Sequence, residues 1–345
     1  MKITQVDLYQ VKISLIPPIA QYTSKIYDIT ICRLRTDEGL EGIGESAIYQ
    51  LTPQGRADLK EKAGSYVGKD PLQLNPLAEP GLFECALLDI AGQAHGIPLH
   101  RFFGEKVRDR VPVSYWSCPM EPRDTAAEAE AGQRLGFKNH KLKARSWNIV
   151  ETVRLMKEVA GPEYDRGSGS QHGIQAVAHG RAFGRTAGAF WNGRQLRRSH
   201  AQEQPGMVPA AAAEDHHPPG TAHRSAAGRQ AVPGQRCAES AQGGVHRLCD
   251  AGGGLEIRRA AAEAGDVPCW VQMGGVCLGV LAAYSVHVQS TIPNATLPCD
   301  ELPFVRVADV LGGSLVLEEG HFRVPEGAGL GVELDMGIIE KYRVA

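Results

Sequence analysis

From Arg166 to Asp250 the chain has no Lys and no Tyr, and only ten Ile, Leu, Val, Phe or Met in 85 positions. Seven of its twelve His fall in that stretch, among Gly, Ala, Arg and Gln. So few large apolar side chains cannot bury enough surface to offset the entropy of ordering the segment. Other absences are global. A formal net charge of −2 gives no overall field toward nucleic acid or an anionic membrane, so neither is expected as a partner. No apolar run reaches the roughly 18 residues that span a bilayer. The opening MKITQVDLYQVKI alternates like a strand and lacks the apolar centre of a signal peptide, which points to the cytoplasm. Eight cysteines occur without a C-x-x-C pair, the pattern of free buried thiols rather than of a disulfide or zinc framework.

What is present is patterned. A chain of 345 residues suits one large α/β domain with a smaller one. Residues 1 to 15 and Asp28 to Gly44 read as strands, with Asp37-Glu38-Gly39 as a hairpin turn. Leu82 to His95 reads as a helix with Phe83, Leu87, Ile90 and Ala91 on one face; Gly96 stops it and Pro98 follows. From Val111 a new rhythm begins: strand VPVSYW, helix Asp124 to Leu135, strand HKLKA, helix Trp147 to Val159. Strands and helices alternating at this spacing imply a parallel sheet with right-handed crossovers, open or closed into a barrel. The rhythm stops, then resumes near Gly254 with helix LEIRRAAAEAG, strand PCWVQM and apolar helix GVLAAYSVHVQ. The final HFRVPEGAGLGVELD reads as a strand, a Gly-rich turn and a second strand with no helix after it, able to return to the N-terminal sheet.

Lys141 and Lys143 stand two apart in one strand, so their side chains leave it on the same side. Two close ammonium groups disfavour each other's charge, which lets one lysine act as a base near pH 7. K-x-K alone is a weak signal and fits two solvated lysines on an exposed strand better. Longer matches add context. The run ALLDIAGQAHGIPLHRFFG (Ala86 to Gly104) with VRDRVPVSY, GFKNHKLKAR (Gly136 to Arg145), VPEGAGLGVELD (Val324 to Asp335) and TDEGLEGIGE (Thr36 to Glu45) resemble the mandelate racemase/muconate lactonising enzyme family of the enolase superfamily.

That resemblance implies an α/β chain: a modified TIM (β/α) barrel with an α+β capping domain. Residues 1–110 would form the cap, 111–320 the barrel, with 166–250 anomalous and the middle of the barrel disrupted, and 321–345 the return to the cap. It implies a homo-oligomer acting on a small carboxylate-bearing substrate. The reaction would be that of a racemase, cycloisomerase or acid-sugar dehydratase, through an enediolate formed when the α-proton is removed. Lys143 matches the family's base and Lys141 the lysine that tunes it. Mg²⁺ is the implied cofactor, held by three carboxylates on successive strands, but no ligand can be named. Asp165 is the nearest acid to the first position and lacks the D-x-N context, while Glu203, Glu214, Asp215 and Glu239 sit in no recognisable strand. His216-His217 and Arg197-Arg198 have no ligand or phosphate-binding spacing. Many relatives carry a Glu on the last barrel strand; in VQMGGVCLG (Val271 to Gly279) Gly275 stands there. No second base faces K-x-K, which favours one-base chemistry. In the cap, Tyr22, Lys25 and Tyr27 of PPIAQYTSKIY are candidate substrate contacts, and a plain surface loop is the alternative.

The anomalous segment also reads as a shifted frame. Codons for Gln195 to Ser199 exist that, one base later, encode N-F-E-D-P, and E-D-P is the family's second ligand signature. Ser168 to Ile174 yields R-D-P-N-T-E-F in the same frame, which supplies D-x-N. Pro205 to His223 yields an amphipathic helix and an apolar strand ending A-L-H, with no acid for the third ligand. The shift would begin near Asp165 and end between His246 and Leu255. As written, the alternative is a catalytically inactive, partly disordered chain with no metal site.

Overall fold

The computed structural model describes residues 1–23, 28–46, 52–79, 81–143, 148–161, 173–176, 238–241, 245–249, 254–263, 265–266, 268–274 and 276–344. Strands β1 (Ile3–Val11), β2 (Ile29–Thr36) and β3 (Glu41–Glu45) form an antiparallel sheet in that order. The expected turn joins β2 to β3, and Gly39 takes φ +82, a conformation L side chains rarely adopt. Helix α1 (Pro17–Ala20) follows β1, and α2 (Pro53–Gly64) begins at Thr52, whose hydroxyl accepts from the Gly55 N–H at 3.0 Å.

Helix α3 (Gly81–His95) lies on β3 and spans the expected range. Two glycines permit the approach. A Cβ at Gly42 would sit 2.0 Å from the Ala86 carbonyl oxygen, and one at Gly44 1.9 Å from that of Leu82. Backbone therefore meets backbone, with Phe83, Ala86, Leu87 and Ile90 of α3 buried against Cys32 and Leu34 of β2.

The alternating region supplies β4 (Arg110–Pro112), β5 (Tyr115–Ser117), α4 (Pro122–Arg134), β6 (Asn139–Leu142), α5 (Ile149–Ala160) and β7 (Gly173–Ala176). Strands β5, β6 and β7 are parallel. Further along, β8 (Ala238–Ala241) pairs antiparallel with β9 (Val245–Cys249), followed by α6 (Gly254–Glu263), β10 (Cys269–Gln272), parallel to β9, and α7 (Gly279–Ser290). Residues 295–301 join the two groups. Leu297 N–H donates to the Cys269 carbonyl at 3.1 Å, Cys299 N–H to Pro112 at 2.8 Å, and Ser114 N–H to Cys299 at 3.0 Å, around a parallel Val113–Cys299 bridge. The described parallel strands thus make an open arc: β9, β10, 297–299, 112–117, β6, β7. Helices cover one face. Tyr115 turns to α4, where its hydroxyl donates to Glu128 at 2.8 Å, and Leu142 packs with Ala126, Ala129, Met156 and Ala160 of α4 and α5. By alternation, Ser114, Trp116, Lys141, Lys143 and Asp300 point to the inner face.

Three expectations are corrected. VPVSYW is not one strand: β4 leaves the arc to pair antiparallel with β12 (His321–Arg323), which also pairs with β11 (Leu317–Glu318). No second strand follows the terminal Gly-rich turn. Helix α8 (Met336–Tyr342) does, opened by the Asp335 carboxylate accepting from Ile338 N–H at 3.1 Å. The chain still returns to the N-terminal sheet, through an antiparallel Val11–Arg343 bridge. Glu239, read as outside any strand, lies in β8. The turn before α8 is clasped at Leu330. Asp89 accepts its N–H at 2.8 Å and buried His287 meets its carbonyl at 3.0 Å. Cys32, Cys85, Cys118, Cys269, Cys277 and Cys299 are free and buried. Among the described residues, no helix is long and apolar enough to cross a membrane. The expectation of few apolar contacts between Arg166 and Asp250 falls largely outside the described residues.

Candidate active site

Lys141 lies within β6 and Lys143 just past its end, where the Lys143 N–H donates to the Ser117 carbonyl at 3.0 Å. In the parallel register Trp116 stands beside Lys141, and the Lys143 ammonium lies 5.7 Å from the centre of the Trp116 ring. At that distance the ring's negative face attracts the cation. Lys141 is ion-paired with Asp300, and both side chains are nearly buried, 12% and 5% exposed. The pair reaches across β5, because Asp300 ends the segment that joins β5 from the other side.

Glu301, next to it, turns the other way. Its carboxylate accepts the N–H groups of Met273 and Gly274 and the Cys277 thiol at 3.1 Å. Complete burial pushes it up to about 7 against the pull of those donors. The wall above the lysines is apolar: Trp116, Cys118, Met120 and Leu302 cluster with Leu15 and Ile19 from the segment after β1. Buried Arg306 ties that segment down, donating to the carbonyls of Ile13 at 2.6 Å and Val276 at 2.7 Å. Glu45, at the end of β3, accepts from Leu278 N–H at 2.6 Å and Leu281 N–H at 2.8 Å, at the start of α7. Burial raises Glu45 to about 8.

Of the cap residues singled out, Tyr22 packs at the edge of the apolar wall, and its hydroxyl donates to Asp124 in the first turn of α4. That carboxylate raises the phenol above its ordinary value. Lys25, Tyr27, Gly275, Asp165, Glu203, Glu214 and Asp215 lie outside the described residues. Asp300 and Glu301 escaped the sequence reading, which took 271–279 for the last strand. Residues 295–301 come later and close onto β5.

The donor set does not fit a divalent ion. Asp300 is committed to Lys141 and Glu301 to backbone N–H groups, and among the described residues no group of three His, Cys, Asp or Glu is placed to hold a metal.

Residues 238–338 match the family described as enolase C-terminal domain-like. That match begins inside the anomalous segment. D-galactonate dehydratase from Ralstonia nicotianae is 27% identical, over all of this chain and 95% of that protein. The N-succinyl Arg/Lys racemase structure from Bacillus cereus superposes with a TM-score of 0.67 at 16% identity, covering 100% of this chain and 99% of the other. The chain resembles the enolase superfamily. The magnesium complex of a mandelate racemase/muconate lactonizing enzyme homologue from Roseovarius nubinhibens superposes with a TM-score of 0.62 at 20% identity, covering 98% of each chain. By that resemblance the chain is an enzyme, and its fold is the mixed α/β one of these neighbours.

Proposed function

We propose that this chain is an isomerase or lyase that removes the proton α to a carboxylate, with Lys143 as the base. The observation that carries this reading is the placement of Lys143 at the C-terminal end of β6, on the inner face, beside Lys141. A neutral Lys143 amine takes the α-proton, and the C–H electron pair passes into the carboxylate as an enediolate. The Lys141 ammonium, held by Asp300, faces the developing charge and disfavours a second cation at Lys143. Full-length likeness to a D-galactonate dehydratase favours dehydration of a sugar acid over racemisation or cycloisomerisation. In that case Lys143 returns its proton to the β-hydroxyl, which leaves as water, and the amine is regenerated.

The cap of 1–110, the barrel of 111–320 and the return of 321–345 are part of the same reading. So is a frame-shifted 166–250, where the family's Mg²⁺ ligands would be encoded in the other frame. An open shifted frame across those codons in genomic DNA supports the shift, and a stop codon there rules it out. The enzymatic reading is tested by proton NMR in D₂O with D-galactonate and added Mg²⁺. The α-proton signal should decay with a frame-repaired chain and not with its Lys143→Ala variant, while the chain as written should show no decay. Equal decay with the repaired chain and its variant would sink the assignment of Lys143.

A further inference from the structure

The turn that leads from β10 into α7 is held by side chains from three separate parts of the chain. Glu301 accepts the N–H groups of Met273 and Gly274 and the Cys277 thiol. Glu45, at the end of β3, accepts the N–H groups of Leu278 at 2.6 Å and Leu281 at 2.8 Å. Asp309 accepts that of Gly279 at 2.7 Å, and Arg306 donates to the carbonyls of Val276 and Cys277. Glu45, Cys277 and Glu301 are fully buried, so water cannot replace a lost partner there without the turn opening. The first N–H groups of a helix have no partner within it, and a carboxyl group fills that need. At the start of α7 part of that need is met by the N-terminal sheet, through Glu45.

Glu301 connects this turn to the lysine pair. It follows Asp300 directly and points to the turn, while Asp300 reaches Lys141. The Asp300 carboxylate has little else to fix it: its Oδ1 is buried with no hydrogen-bond partner among the described residues. Its placement therefore depends on the backbone to either side. Cys299 is pinned to Pro112 and Ser114, and Glu301 is the other pin. We propose that Glu45 is a positioning residue for Lys141: it fixes the turn, the turn fixes Glu301, and Glu301 sets where Asp300 holds the Lys141 ammonium. The path runs Glu45, Leu278, Cys277, Glu301, Asp300, Lys141, and each link is a hydrogen bond, an ion pair or a peptide bond. Loosening at Glu45 thus reaches Lys141 without any change in the strand that carries it. The value of this to catalysis rests on the lysine pair being the working part of the site, whereas the path itself does not.

Competitive acetylation of the full chain, read by peptide mass spectrometry, tests the path without any turnover. A nearly buried, ion-paired amine is acetylated only when its surroundings open. Glu45→Ala should raise the acetylation rate of Lys141 by about fivefold relative to exposed Lys138, and should speed alkylation of Cys277 by iodoacetamide. Glu301→Gln should do the same. The double variant should label Lys141 no faster than the faster single variant, because both act on one path. Leu34→Ala opens a cavity on the other face of the same sheet, against α3, and controls for general loss of stability. At matched intervals below each melting temperature it should leave Lys141 as slow as in the parent. Should Glu45→Ala fail to fold, Glu45→Gln, which keeps one acceptor for the turn, takes its place with a rise of about twofold. Faster alkylation of Cys277 with unchanged Lys141 would confine Glu45 to anchoring the turn and refute the path. So would an equal effect from Leu34→Ala, or effects that multiply in the double variant. Failure of α-proton exchange in a frame-repaired chain would strike the lysine chemistry alone, so the two readings fall separately.

Discussion

Lys141 on β6 is ion-paired with Asp300 at the far side of β5, so one contact spans three neighbouring strands. Both groups are nearly buried, and neither charge is easily left alone there. Asp300→Ala should cost about 3 kcal/mol in urea unfolding, because it strands the ammonium. The double variant Lys141→Met/Asp300→Leu should recover most of that loss. A single variant as stable as the parent would show that the pair carries little.

In a frame-repaired chain Lys143→Ala should lower α-proton exchange by about 10² to 10⁴, the usual range for loss of a general base. Lys141→Ala should slow exchange less and displace its pH profile, since it acts through charge rather than by holding the proton. Exchange rates by NMR from pH 6 to 10 separate the two. Identical profiles for parent and Lys141→Ala would remove Lys141 from the mechanism.

Burial holds His287 neutral, at about 4, while an unfolded imidazole titrates near 6.5. Between those values the unfolded chain binds the extra proton, so this group's stabilisation is present above about pH 6.5 and is lost as pH falls toward 4. The loss amounts to about 3 kcal/mol. His287→Gln, which retains a donor for the Leu330 carbonyl, should flatten that acid limb in denaturation curves. A limb as steep as the parent's would place the acid sensitivity elsewhere.

Glu45 acts with the opposite sign. Its folded value of about 8 lies above the ordinary carboxyl range, so the folded chain holds a proton that the unfolded chain releases. Its contribution is full below about pH 4.5 and declines as pH rises to 8. Glu45→Gln should reduce the fall in melting temperature between pH 6.5 and 8. An undiminished fall would contradict the buried, protonated carboxyl.

Gly42→Ala should destabilise by about 3 kcal/mol, since the new methyl meets the Ala86 carbonyl and neither backbone can retreat without lifting β3 from α3. Gly39→Ala meets no neighbour, and its cost is confined to the left-handed backbone. Thermal melts should rank the two in that order.

The elements that announce themselves locally were legible. Helix α3 carries its apolar face and its Gly96 stop in the sequence, and the β2–β3 turn its Gly39. Tertiary pairing was not. VPVSYW alternates as one strand, but β4 finds its partner in β12 while β5 finds β6, and nothing within six residues encodes that division. Helix α8 is seven residues long, too short for a periodic signal. Asp300 and Glu301 follow ATLPC, where Pro298 breaks the alternation that marks a strand. Two acids closing an apolar run after a long buried helix were the available clue.

The clasp of Asp89 on Leu330 joins positions 241 residues apart. On a ribosome adding about 5 to 20 residues per second, Asp89 emerges roughly 12 to 48 s before Leu330 is made. Over that interval β4 has no β12 to pair with, and its edge is open to any other strand. The nascent chain therefore carries an unsealed seam until residues 321–330 have been translated.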